Sequence, residues 1–92
     1  SYSNHKLNSE QIEELLLLAE QVARNYIFSQ LPAKEIKNLS VMIDFDFENE
    51  LNIDCTIDIQ LIKHSKLKPQ KIIDKAIEKI FETIEKELSL NP

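Results

Sequence analysis

Glycine is missing from this chain of 92 residues altogether, and cysteine and methionine occur once each. Without glycine there is neither a phosphate-cradling loop nor a nucleophile elbow, because both need a backbone free of Cβ at a sharp turn. A single cysteine, Cys55, excludes an internal disulfide. Flanked by Ile53 and Ile57, it reads as a small buried hydrophobe in a reducing compartment. No apolar run approaches the roughly 20 residues that span a bilayer. Residues 1–8 are polar and lack the apolar segment of a secretory signal, and the lone buried thiol makes the cytoplasm the expected location. Basic residues are also in deficit: 11 Lys and Arg face 16 Asp and Glu, a formal charge of −5. A general nucleic-acid binder normally carries the opposite balance.

What is present fits one small domain covering residues 1–92, with an ordered core expected over about 9–88. Apolar residues make up 42% of the chain, ordinary for a globular protein. A chain of this size buries only about two-thirds of its unfolded surface, so docking to a partner would add to a thin margin of stability. Ile, Lys and Glu are abundant. Replacing glycine and thermolabile residues in this way is a heat-adapted habit, and a thermophile is one source of such a composition. An AT-rich genome is another.

The first helix is predicted to begin at Asn8 or Ser9, either of which can cap the orphan N–H groups. Glu10, Glu13 and Glu14 then sit at the positive end of the helix dipole. Ile12, Leu15, Leu16, Ala19, Val22, Ala23 and Tyr26 fall at three- and four-residue spacing and share one face. The helix is predicted to stop near Ser29, ahead of Pro32, because the residue before a proline avoids the α region. Residues 33–38 form a connection with room for one helical turn.

Between residues 39 and 61 nearly every odd position is apolar and the even positions are mostly acidic or polar. That period of two predicts two strands, each with one buried and one wet face. It also predicts their register, since a slip of one residue would turn every side chain over. Apolar must meet apolar: Phe47 pairs with Leu51, Phe45 with Ile53, Ile43 with Cys55 and Val41 with Ile57. The connecting loop then holds an odd number of residues, with Asn49 best suited to a left-handed conformation. Pro69 is predicted as the first position of a last helix. Its buried stripe is Ile72, Ile73, Ala76, Ile77, Ile80, Phe81, Ile84 and Leu88, and it fades near Leu88. The fold class is α+β: helix, β-hairpin, helix (αββα), with two helices packed on one face of an antiparallel hairpin in two layers. Such a hairpin has two long edges, and these invite pairing with a second copy or another chain.

Three surfaces remain once the core is assigned. The outer hairpin face gathers Asp44, Asp46, Glu48, Asp54 and Asp58, with Asp44 opposite Asp54. A solvated face that deters aggregation is the favoured reading, ahead of a docking face for a basic partner. A divalent cation comes last, because strand carboxylates without a shaped loop make poor cages. On the first helix, Leu17, Arg24 and Phe28 share a flank away from the main stripe and could form an apolar-plus-arginine patch. Unremarkable exposure of Leu17, with Phe28 tucked under the connection, is the plainer account. Lys68, Lys75, Lys79 and Lys86 recur along the last helix and could follow phosphates. Neighbouring Asp74, Glu78, Glu82 and Glu85 favour ordinary charge pairing instead. No catalytic residue emerges: His5 and His64 have no partner at metal-ligand spacing, and nothing would push the strand carboxylates apart in pKa.

The stretch Ala23-Arg24-Asn25-Tyr26-Ile27-Phe28-Ser29, then Pro32 and Lys34-Glu35-Ile36, followed by alternating acidic strands, resembles a small archaeal family, domain-of-unknown-function family 3194. The likeness covers roughly residues 9–88. It implies an archaeal cytoplasmic protein with no established activity, whose gene neighbourhood points towards protein folding, translation or RNA modification, and it supplies no catalytic residues to carry over. The lack of glycine departs from the hairpin turn expected of relatives.

The expectation is therefore a small non-enzymatic interaction protein, an accessory subunit or adaptor. It would self-associate as a homodimer or dock a protein partner through a strand edge or the acidic hairpin face. The alternatives are an RNA-associated accessory protein using the lysine row, and a module that binds a divalent cation or other ligand. No cofactor, no metal and no membrane is expected.

Overall fold

The computed structural model describes residues 7–46 and 52–90. Helix α1 (Ser9–Gln30) leads through a short 3-10 turn (Ala33–Glu35) into strand β1 (Ile36–Asp46), which pairs with β2 (Asn52–Leu61) before helix α2 (Gln70–Leu90). The fold is α+β, an antiparallel hairpin followed and preceded by one helix each. The molecule is a slab 49 Å long and 21 Å across in both short directions. Much of that length comes from single elements: at about 1.5 Å per helical residue and 3.3 Å per strand residue, α1 and β1 are both roughly 35 Å long.

Asn8 starts α1 with a reciprocal cap. Its side chain accepts from the Gln11 N–H at 2.8 Å, and the Gln11 side chain accepts from the Asn8 N–H at 3.0 Å. Two of the donors that a helix start leaves orphaned are thereby satisfied. At the other end Leu31 is extended, as a residue before proline should be. Pro69 precedes α2 by one residue instead of opening it: its carbonyl accepts the first bond, from the Ile73 N–H at 2.9 Å.

Register follows the apolar alternation. Val41 faces Ile57, Ile43 faces Cys55 and Phe45 faces Ile53, while Asp44 stands directly opposite Asp54. The Phe47–Leu51 pair and the loop around Asn49 lie outside the described residues. β1 starts at Ile36, earlier than the alternation implies, because a register irregularity between Ile36 and Asn38 takes up one residue. Two bonds to Glu35 pin the open end of the hairpin. Its carbonyl accepts from the Ile62 N–H, and its carboxylate accepts from the Ser65 hydroxyl, both at 2.9 Å.

The core is mainly a helix–helix seam. Leu15, Ala19, Ala23 and Ile27 of α1 meet Ala76, Ile80, Ile84 and Leu88 of α2, and of the ten buried side chains described only Leu31 and Ile57 lie elsewhere. Each set is a single i, i+4 ridge, the arrangement that lets two helices interdigitate. Ala19, Ala23 and Ala76, all fully covered, let the backbones approach. Two expectations change here. Ile27 extends the α1 ridge where the spacing pointed to Tyr26, and Phe81 is 40% exposed, outside the α2 ridge. Cys55 is half-buried, not enclosed.

α1 lies against β1 and α2 against β2. The inner hairpin face packs on the helix seam through Leu39, Val41, Ile43, Phe45, Ile53 and Ile59, yet these remain half-buried. Among the described residues the two-stranded sheet has no further strand on either side, so its apolar face is open laterally.

Candidate docking surface on the hairpin and helix α1

Alternation along β1 turns Ser40, Met42, Asp44 and Asp46 to the outer face, and β2 adds Asp54, Thr56 and Asp58 beside them. The predicted acidic face therefore exists, with Asp44, Asp46, Asp54 and Asp58 all exposed. Glu48 lies outside the described residues. In the middle of this acidic field stands Met42, 58% exposed, opposite Thr56. It breaks the alternation, and its signal was legible as the one apolar residue at an even position between residues 39 and 61. Among the described residues, no group of three His, Cys, Asp or Glu is placed to hold a metal ion.

On α1, Leu17 is 65% exposed and Phe28 is 46% exposed, so Phe28 does not tuck under the connection. Arg24 lies between them and donates through Nε to the Glu20 carboxylate at 3.0 Å, both side chains half-exposed. Glu20 of this pair faces β1. Leu16 and Glu20 of α1 and Val41, Met42, Ile43 and Asp44 of β1 line an open cleft of about 300 Å³. The cleft runs along the edge of β1 that carries no partner strand among the described residues. Exposed apolar side chains, unpaired strand edge and carboxylates thus meet along one side of the molecule. A second cleft, about 230 Å³, lies between the start of α1 and the end of α2, where Leu7, Leu15 and Leu18 face Leu88.

The lysine row does not stay together. Lys79 is half-buried and turns towards α1, its ammonium 5.1 Å from the Tyr26 ring centroid, while Lys75 pairs with Glu78 at 3.5 Å. Lys68 precedes α2 and Lys86 is exposed near its end. A cation over an aromatic face is an inter-helix contact, so Lys79 is not presented to an external phosphate. His64 is exposed, and His5 lies outside the described residues. The half-buried Cys55 thiol has its pKa raised above the ordinary 9.0 by desolvation, which keeps it protonated and a poor nucleophile. No described helix is long and apolar enough to cross a membrane.

The model of a protein of unknown function, DUF3194, matches residues 5–87. The chain belongs to the DUF3194 family. An uncharacterised protein of Pyrococcus horikoshii is 25% identical over 83 residues, which is 90% of this chain and 72% of that one. An uncharacterised protein of Thermococcus kodakarensis is 26% identical over 83 residues, 90% of this chain and 77% of its own. The solution structure of hypothetical protein mth677 from Methanothermobacter thermautotrophicus shares the fold, with a TM-score of 0.82, 22% identity, and coverage of 95% of this chain and 94% of that chain. A crystal structure from Thermococcus onnurineus NA1 matches with a TM-score of 0.76 and 27% identity, covering 91% and 82%. This DUF3194 chain thus has its relatives among archaeal proteins from heat-adapted organisms.

Proposed function

We propose that this DUF3194 protein is a non-catalytic interaction module, an accessory subunit that docks a protein partner along the outer edge of β1. The observation that carries this reading is the open β1 edge beside the cleft with Leu16 and Glu20. Strand edges display unpaired N–H and C=O groups, and natural proteins usually blunt, bulge or cover them. Here seven residues, 38–44, run regularly past the irregularity near Lys37. Leu17 and Phe28 add exposed apolar surface on α1, the helix that lines this cleft. An accessory role in the cytoplasm fits this reading, with the acidic outer face steering a basic partner.

The test is affinity capture from the native host with the wild-type chain and with a Met42→Lys, Asp44→Lys pair of substitutions. The reading expects a protein recovered in stoichiometric amount with the wild type and lost with the variant, at equal melting temperature. Equal recovery by both chains would place the contact elsewhere. Recovery of RNA that high salt releases would point to the lysines instead.

A further inference from the structure

Two helices lie over two strands, and the two layers differ in width. Packed helix axes stand about 8–10 Å apart, whereas paired strands stand about 4.8 Å apart. With α1 on β1 and α2 on β2, each helix must overhang the outer side of its strand. The cleft between Leu16 and Glu20 above and Val41 to Asp44 below is that overhang.

The geometry points to an extended segment of another protein, alternating basic and apolar residues, as the occupant of this slot, added as a third strand to β1. The inference rests on the edge-docking reading above and says what docks. A strand beside β1 would alternate its side chains as β1 does. Its inward residues would meet Leu16, Val41 and Ile43 under the overhang. Its outward residues would lie beside Met42, Asp44 and Asp46, with Asp54 and Asp58 one strand further and no Lys or Arg between residues 38 and 62. Apolar inward and basic outward is the complementary pattern. Glu20 offers a further carboxylate at the rim, held by Arg24.

A second copy of this chain does not suit the slot. Pairing β1 with a copy's β1 would bring in the copy's own α1, overhanging from the opposite side into the same space. Helix axes would then need to approach far closer than the roughly 8 Å that side chains permit. The copy's β2 carries α2 in the same way. A bare strand has no such obstacle.

The experiment titrates the isotope-labelled chain with two short synthetic peptides, one alternating valine with arginine and one alternating valine with glutamate, and follows backbone amide shifts. Saturable shifts at residues 38–46 and around Leu16 and Glu20 are expected with the arginine peptide alone. Affinity should fall several-fold when salt is raised from about 50 to 500 mM, and several-fold again in Asp44→Lys or Met42→Lys. Asp44→Lys should melt no lower than the wild type, since it relieves the facing Asp54. Equal response to both peptides, or shifts confined to α2, would overturn the inference. Self-association on raising the concentration of the chain alone, with the same amides shifting, would name a second copy as occupant and overturn the inference while keeping the edge reading. Silence of β1 towards peptide and copy alike would overturn both.

Discussion

At the scale of single residues, the seam depends on small side chains in the right places. Ala19, Ala23 and Ala76 are fully covered where α1 crosses α2, so there is no room for added methylenes. Ala23→Leu should destabilise the fold by about 1–3 kcal/mol through overpacking, read as a lower urea midpoint at unchanged slope. Cys55 gives a pH-dependent prediction. Desolvation raises its folded-state pKa above 9.0, so the folded chain holds the proton longer than the unfolded one. Stability is then unaffected well below the ordinary thiol range and falls as pH rises through and beyond it. Melting curves from pH 7 to pH 10 should show the wild type losing more than Cys55→Ala. A parallel decline of the two would contradict the assigned cause.

At the scale of elements, each helix start and strand face has a chemical reason readable in the chain. Asn8→Ala should remove the side-chain oxygen that accepts from the Gln11 N–H, while the bond from the residue-8 backbone N–H to the Gln11 side chain can persist, and cost about 1 kcal/mol. For a domain of this size that is a drop of roughly 4–8 °C in melting temperature. The hairpin was the most legible element, because a period of two over residues 39–61 excludes every register shifted by an odd number of residues, which would turn acid into the interior. The helix ends were legible from Asn8 and Pro32, each of which acts through local backbone chemistry. Tertiary selection was not. Which of Tyr26 and Ile27 joins the ridge depends on the direction from which α2 arrives, and the same choice leaves Phe81 at the margin. Lys79 shows the limit most clearly. On its own helix it belongs to a row of lysines, and only the presence of Tyr26 on α1 turns it inward.

At the scale of the whole molecule, the organising fact is a mismatch of widths, two broad helices on a narrow ribbon. It explains why the seam is dry while the inner hairpin face stays half-buried, and why a cleft follows the outer side of β1. The candidate surface was legible only in its charges. Asp44, Asp46, Asp54 and Asp58 announce themselves by alternation, whereas the cleft with Leu16 and Glu20 exists only once α1 is laid along β1. Amide hydrogen exchange along residues 38–46 of the free chain tests this account most directly. An open outer edge predicts alternating protection, with slow exchange for N–H groups that bond β2 and fast exchange for those that point away. Uniformly slow exchange along the whole strand would mean that the edge is already occupied, and would contradict the account.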